Sequence, residues 1–236
     1  MTELLRLPVD IEPQPDDTSC GPTCLHAVYR YLGLELGLAD VVAGVTPLPG
    51  GGTLEVSLAL DALRRGLVAT IYTYNLNLFD PTWFAPQEVD IATRLRARAA
   101  ARNDAKLDFA CTAWCDFLAA GGRLRFVDLT RDLLRSLLRR EVPLIAALNL
   151  TYLYRNARVS GPHDEPDDVH GEALGHFVLL SGYDRGHRSI DVADPYPRNP
   201  VAAGQRYAVH IDRVIGAILL GVMTYDASLL LVERAP

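Results

Sequence analysis

The stretch GHFVLLSGYDRGHRSIDVADP, residues 175–195, predicts two antiparallel strands joined by a turn. Its first part, HFVLLSGY, is an almost continuous apolar run, which is typical of a buried strand, and its second part ends at an Asp-Pro turn. In an antiparallel pair, the start of the first strand lies beside the end of the second. We therefore expect His176 and Asp194 to be neighbours at one edge of a sheet.

Most other strand-like segments also lie in the second half of the chain. Residues 142–154 and 228–234 have strand character, and residues 67–76 add one β-branched and aromatic segment in the first half. Helical spacing of apolar residues occurs in four places: after Cys20, across residues 86–120, and after Thr53 and Thr130, which are predicted to be N-caps. Helices early and strands late predict an α+β protein.

The order of these elements suggests one folding unit. We expect residues 1–236 to form a single domain, with a helical half at about 14–141 and a sheet half at about 142–236. Length alone allows either one large domain or two small ones, so this expectation depends on the element order.

Composition excludes several classes of protein. With 49% hydrophobic residues the chain can bury a large core, and its net charge of −6 disfavours a nucleic-acid-binding protein. The apolar segments 142–150 and 214–223 are too short and interrupted to span a bilayer. The first residues show no secretory signal, and four cysteines in such a chain are expected to be reduced thiols. We expect a cytoplasmic protein that binds neither nucleic acid nor membrane.

The second informative stretch is QPDDTSCGPTC, residues 14–24, which precedes a helical pattern. Pro22 fits the first turn of a helix, where its missing N–H group has no cost, so Cys20 is predicted to begin that helix. A helix N-terminus favours the thiolate form of cysteine, which is the nucleophile. The backbone N–H of Cys20 and the side-chain amide of Gln14 are candidate donors to an oxyanion. The alternative interpretation is a buried structural cysteine beside a surface glutamine.

Among the six histidines, His176 is the best candidate for a base, because it begins a buried strand. His26 falls on a different face of the helix that starts at Cys20, and the other four lie in polar loops, a turn or a strand end. Asp194 is then placed to accept a hydrogen bond from the imidazole and fix its tautomer. The alternative is a strand-end histidine and an aspartate that only caps its own turn.

Together these motifs resemble the papain-like cysteine peptidases. The pattern is Q-x5-C-G-P, then G-H before a strand that ends G-Y-D, then D-P after the next strand. It is most similar to the bacterial bacteriocin-processing peptidases and their stand-alone relatives, the peptidase C-thirty-nine-like proteins. The resemblance implies a papain-like fold with a cleft between the two halves, and four roles: nucleophile for Cys20, general base and acid for His176, orienting carboxylate for Asp194, oxyanion donor for Gln14.

The resemblance covers residues 10–34 and 142–197, and it implies a hydrolase that cleaves a peptide or amide bond without a cofactor or metal. Segment 80–120 departs from the family pattern and is predicted to be a helical insertion. The long acidic loop 155–172 leads into His176 and is expected to border the cleft. Within this region, Tyr154 and Arg155 are candidate substrate-binding residues, since an arginine can receive a carboxylate through two hydrogen bonds. The alternative interpretation is that these two residues only connect a strand to the loop that follows it.

Three other functions remain open at this point. Papain-like acyl transferases have a similar order of Cys, His and Asp, so an amine is an alternative acceptor to water. A catalytically idle module that binds a peptide or a partner protein is a second alternative. The third is a zinc-stapled structural protein, because the cysteines form two C-x3-C pairs, at positions 20/24 and 111/115. The oligomeric state is left open.

Overall fold

The structure is a computed structural model that describes residues 4–84, 89–161 and 163–235. The α-helices are α1 (Cys20–Tyr31), α2 (Leu38–Gly44), α3 (Glu55–Arg64), α4 (Ile91–Ala101), α5 (Ala105–Ala119), α6 (Arg131–Leu138), α7 (Leu150–Tyr154) and α8 (Ile211–Leu220). Short 3-10 helices span Pro81–Phe84 and Gly221–Thr224. Within the described ranges, none of the helices has the length and apolar character needed to cross a membrane.

The strands form one large sheet and one small one. They are β1 (Leu4–Arg6), β2 (Val68–Thr73), β3 (Arg123–Arg125), β4 (Leu144–Asn149), β5 (Val159–Ser160), β6 (Glu165–Pro166), β7 (Gly175–Asp184), β8 (Ser189–Ala193), β9 (Arg206–His210) and β10 (Ser228–Glu233). The large sheet has eight strands in the order β3-β2-β10-β4-β7-β8-β9, and β1 pairs with the far end of β7. All its pairs are antiparallel except β2 with β3. Strands β5 and β6 form the separate pair.

Helices cover both faces of the large sheet, which explains the apolar run in β7. Phe177 and Leu179 belong to one buried cluster, with side chains of α1, α3 and α5, whereas Val178 and Leu180 belong to a second, with side chains of α6, α7 and α8. Successive residues of a strand point to opposite faces. A strand with both faces buried therefore needs apolar residues at every position rather than at alternate ones.

The predicted α+β class is confirmed, and so is the predicted strand pair of residues 175–195, which is β7 and β8. Both faces of the sheet carry helices, and β2 and β3 of the large sheet come from the half expected to be helical, at about 14–141. Segment 80–120 contains α4 and all of α5, whose Trp114 is fully buried. That this segment is an insertion, and that the chain is one domain, stay predictions.

Some predicted boundaries are wrong. The strand predicted over 142–154 ends at Asn149, because the Asn149 side chain accepts a hydrogen bond from the backbone N–H of Tyr152 and caps α7. Helix α3 begins at Glu55 after Leu54, not directly after Thr53 as an N-cap. The helix predicted from residue 86 begins at Ile91 within the described residues, with Asp90 as its N-cap, and residues 86–88 lie outside them.

Candidate active site

Cys20 is the first residue of α1, as predicted. The turn before it is held by Asp16, whose carboxylate accepts hydrogen bonds from the backbone N–H of Thr18 at 2.8 Å and from the hydroxyl of Ser19. The Thr18 hydroxyl also donates to this carboxylate, and it contributes most to holding the pKa of Asp16 below its usual value. The other hydrogen bonds act in the same direction, and burial opposes them. Pro22 lies in the first turn, where its missing N–H group leaves no carbonyl unpaired. The sequence therefore fixes the thiol at a helix N-terminus.

Gly21 sets how closely this helix start approaches the sheet. A Cβ atom on Gly21 would lie 3.2 Å from the ring of Phe177 and 3.3 Å from a methyl group of Leu58. Contacts that short force neighbours to shift, so glycine permits α1 to pack directly on β7 and α3. Because Phe177 follows His176 in β7, this packing brings Cys20 next to the start of that strand.

His176 and Asp194 are brought together by the β7–β8 pair, as the sequence predicts. The Nε2–H group of His176 donates to Oδ1 of Asp194 over 2.9 Å, and both side chains are buried. Cys20 lies near enough to His176 that its charge, after that of Asp194, raises the pKa of the imidazole, and both residues line one cavity. Since Nε2 is used by Asp194, Nδ1 is the ring nitrogen left to face the thiol. The structure thus brings the three predicted residues together, with His176 bonded to Asp194 and lining the same cavity as Cys20.

Asp194 accepts hydrogen bonds from four donors. Its Oδ1 atom accepts from His176 and from the backbone N–H of Tyr196 at 2.9 Å. Its Oδ2 atom accepts from the phenol groups of Tyr154 at 2.7 Å and Tyr207 at 2.5 Å. This arrangement satisfies the lone pairs of a fully buried carboxylate, which would otherwise be costly to desolvate.

These contacts fix the charges of the pair. Burial alone would raise the pKa of Asp194, but His176 and the two phenols outweigh it and hold that pKa below its usual value. Burial alone would lower the pKa of His176, but the charges of Asp194 and Cys20 raise it above its usual value. Burial and the charge of Asp194 both raise the pKa values of Tyr154 and Tyr207, which stay neutral donors. The imidazole is therefore held protonated beside the ionised carboxylate of Asp194.

A cavity of about 300 Å³ lies over Cys20 and His176, and Gln14 lines it. The backbone N–H of Gln14 donates to the carbonyl of Pro195 at 2.9 Å, which fixes residue 14 beside the end of β8. One hydrogen of the Gln14 side-chain amide donates to the carbonyl of Asp16 at 2.8 Å. The NH2 group has a second hydrogen, which leaves a donor for a ligand in the cavity.

The two predicted substrate-binding residues have different positions. Tyr154 lines the cavity, but its hydroxyl group donates to Asp194. Arg155 is exposed and lies outside the described residues that line the cavity. The arginine that does line it is Arg198, whose guanidinium lies 5.8 Å from the centre of the Tyr196 ring. Sequence reasoning missed Arg198, although it follows the Asp-Pro turn by only three residues.

The other cysteines are placed differently from Cys20. Cys24 is fully buried and donates to the carbonyl of Phe177, and its pKa is raised by burial first and then by the charges of Cys20 and Asp194. Cys111 and Cys115 lie on α5, and all four cysteines are free thiols. Among the described residues, no three histidine, cysteine or acidic side chains are grouped as a metal site would need.

Two buried carboxyl groups behind the cavity were not predicted. Asp226 packs on Gly175 so closely that a Cβ atom there would lie 2.1 Å from its Oδ2 atom. Both carboxyl oxygens of Glu55 are buried with no hydrogen-bond partner among the described residues. Burial, and then the charge of Asp226, raise the pKa of Glu55 to about 8, and burial raises the pKa of Asp226 to about 7. Both groups thus hold protons well above the usual range for carboxyls.

No family model matches the chain, and no curated protein matches its sequence. Among solved structures it is similar to the peptidase domain of Streptococcus ComA, a bi-functional ABC transporter involved in a quorum-sensing pathway; the two are 13% identical with a TM-score of 0.47 over 96% of this chain and 99% of that one. It is also similar to a double glycine motif protease from an AMS/PCAT transporter, in complex with the leader peptide. The two are 13% identical with a TM-score of 0.48 over 100% of this chain and 99% of that one. A third similar structure is xylellain, a cysteine protease from Xylella fastidiosa. It is 12% identical to this chain, with a TM-score of 0.48 over 99% of this chain and 86% of that one.

Proposed function

We propose that this protein is a papain-like thiol hydrolase, a cysteine peptidase that cleaves a peptide or amide bond. The observation that supports this function is the buried hydrogen bond between His176 and Asp194, together with the cavity that His176 and Cys20 both line. A buried histidine whose pKa is strongly shifted by a specific carboxylate, and which lines a cleft beside a cysteine, is typical of a catalytic site.

In the proposed reaction the thiolate of Cys20 attacks the carbonyl carbon of the substrate, and a C–S bond forms. The backbone N–H of Cys20, at the start of α1, and the free amide hydrogen of Gln14 donate to the oxygen on which negative charge develops. Nδ1 of His176 then gives its proton to the leaving amine as the C–N bond breaks.

The acyl-enzyme is cleared by water. Neutral His176 takes a proton from a water molecule, which attacks the thioester, and the thiolate of Cys20 leaves. Asp194 stays ionised throughout, since four donors hold its charge, and its bond to Nε2 keeps Nδ1 directed at the reacting atoms.

The first prediction concerns thiol reactivity. At about pH 6 we expect iodoacetamide to label Cys20 far faster than the other three cysteines, because only a thiolate reacts and a free thiol has a pKa of about 8.5. His176→Ala should abolish this selectivity, since the imidazolium that stabilises the thiolate is lost. The rates are measured by mass spectrometry of peptides that contain each cysteine, with Cys20→Ala as the control for assignment. Equal and slow labelling of all four cysteines would contradict the proposal.

Hydrolysis itself is tested by incubating the protein with a mixture of peptides of diverse sequence and reading new termini by mass spectrometry. We expect new carboxyl termini with the wild-type chain and none with Cys20→Ala. Labelling of Cys20 without any cleaved peptide would limit the assignment to an activated thiol, and would count against peptide hydrolysis.

A further inference from the structure

A second cavity, of about 270 Å³, lies at the opposite end of β7 from His176. Strand β7 runs from Gly175 to Asp184, so the two ends are separated by roughly 30 Å at the usual rise per residue. Four arginines line this cavity, together with four other residues: Arg131, Arg135, Arg185, Arg188, Tyr183, Asp184, Ser189 and Ile211.

Two of the four arginines are neutralised by carboxylates. Arg131 binds Asp212 through two hydrogen bonds, one of 2.6 Å from its Nε atom, and Arg135 is paired with Asp132. The one acidic residue among those that line the cavity, Asp184, is engaged by His187, whose Nδ1 lies 2.8 Å from its Oδ2.

The other two arginines, Arg185 and Arg188, are exposed on the β7–β8 turn. In the part of the chain that the structure describes, neither guanidinium has a hydrogen bond or an ion pair. Guanidinium groups keep their charge at any relevant pH, and Asp212, the carboxylate on which the charge of Arg188 acts, is already bonded to Arg131. In a chain with a net charge of −6, this is an unusual concentration of positive charge.

The backbone adds to the positive field. Helix α6 begins at Arg131 and α8 begins at Ile211, so the first residues of two helices line the cavity. A helix N-terminus carries partial positive charge. Asp132 and Asp212, in the first turns of these helices, offset part of it.

We propose that this cavity binds a small phosphorylated ligand, with its phosphoryl oxygens held by Arg185 and Arg188 and supported by Arg131 and Arg135. A phosphoryl group suits this lining, because its several oxygens can accept hydrogen bonds from more than one guanidinium at a time. A carboxylate has only two oxygens, which pair with a single guanidinium. A free phosphate or pyrophosphate and a lipid headgroup share this chemistry.

The second prediction tests this site on the full chain with pyrophosphate as the probe. Calorimetric titration at low ionic strength should show saturable binding, and Arg185→Gln with Arg188→Gln should weaken it by about tenfold or more, because two charge-assisted hydrogen bonds are lost. The matched control is Arg94→Gln with Arg102→Gln, which removes the same charge from exposed positions elsewhere. The control should change the affinity by no more than about twofold, since only long-range attraction is lost.

Vesicles of phosphatidylcholine with and without phosphatidic acid distinguish the two sources. If the protein binds pyrophosphate but sediments with neither kind of vesicle, the ligand is a soluble phosphate compound. If the protein sediments with the phosphatidic acid vesicles and pyrophosphate releases it, the ligand is a lipid headgroup. Absence of saturable pyrophosphate binding, or equal weakening in both arginine pairs, would overturn the proposal. If the double variant does not fold, as judged by circular dichroism, the single variants Arg185→Gln and Arg188→Gln carry the same test.

Discussion

At the scale of single residues, the most constrained group near the cavity is the carboxylate of Asp194. Its Oδ2 atom is held by two phenols, from Tyr154 in α7 and Tyr207 in β9. These donors draw charge away from the oxygen that does not face His176, and they fix the rotamer of the carboxylate. The tyrosines therefore act on the proposed reaction only through Asp194, as positioning residues.

The third prediction is that Tyr207→Phe makes Asp194 more basic. The variant loses one donor to a charged acceptor, so the free energy of unfolding should fall by about 1.5 to 3 kcal/mol. The pKa of His176 should rise, because a carboxylate with fewer donors attracts the imidazole proton more strongly. The alkaline limb of the pH dependence of Cys20 labelling should therefore move to higher pH.

Tyr74→Phe is the matched control for this change. The hydroxyl of Tyr74 is also buried, but it has no hydrogen-bond partner among the described residues. Removing it should cost little stability and leave the pH dependence of labelling unchanged. Identical unfolding and labelling curves for the two variants would rule out a positioning role for Tyr207.

At the scale of elements, the position of His176 depends on how the start of β7 meets the segment that leads into β10. Gly175 has no side chain, so the Asp226 carboxyl and the Thr224 hydroxyl pack directly against its Cα. Those two side chains are also hydrogen-bonded to each other at 2.5 Å. The segment before β10 therefore forms a rigid wall behind the residue that precedes His176.

The fourth prediction is that Gly175→Ala disturbs both stability and the candidate site. The added Cβ would lie 2.1 Å from Asp226 and 3.0 Å from Thr224, so buried groups must move, at a cost of about 1 to 3 kcal/mol. Urea unfolding should show the loss of stability, and labelling of Cys20 at about pH 6 should slow. Gly204→Ala is the control, because a Cβ atom there meets nothing within 4 Å. Unchanged labelling in Gly175→Ala would show that this wall does not position His176.

The elements also show which features the sequence can predict. The β7–β8 pair follows from a continuous apolar run that ends in a turn, and the start of α1 follows from Cys-Gly-Pro. These local signals are enough to predict the positions of Cys20, His176 and Asp194. Helix α7 was missed because NLTYLY has strand propensity, and a single cap by Asn149 overrides it. Tyr207 was missed because its role requires the register of β9 on β8, where it lies opposite Val192, and no local pattern encodes that.

At the scale of the whole molecule, the large sheet separates two clusters of buried side chains, and the chain also buries two carboxyl groups, those of Glu55 and Asp226. Glu55 begins α3, and Asp226 precedes β10. Burial raises the pKa of both groups, and the charge of Asp226 raises that of Glu55 further. The folded chain therefore keeps protons that the unfolded chain releases in neutral solution.

The fifth prediction is that the free energy of unfolding decreases from about pH 4.5 to about pH 8. The pKa of Glu55 rises from its ordinary value of 4.5 to about 8 on folding. A raised pKa gives full stability below the unfolded value, and that stability is lost as pH rises toward the folded value, by up to about 1.4 kcal/mol per pH unit. Urea unfolding at several pH values measures this slope. The raised pKa of Asp226 contributes in the same direction, up to about pH 7.

Glu55→Gln isolates the contribution of one group. The amide has nearly the same shape and does not titrate, so the variant should lose stability less steeply between pH 5 and pH 8 than the wild-type chain. The comparison uses slopes, because an unpaired amide also lowers stability by an amount that does not depend on pH. Glu35→Gln, at an exposed position, should leave the slope unchanged. Parallel pH curves for Glu55→Gln and the wild-type chain would show that Glu55 does not hold its proton in the folded protein, and the slope would then come from Asp226 and His176.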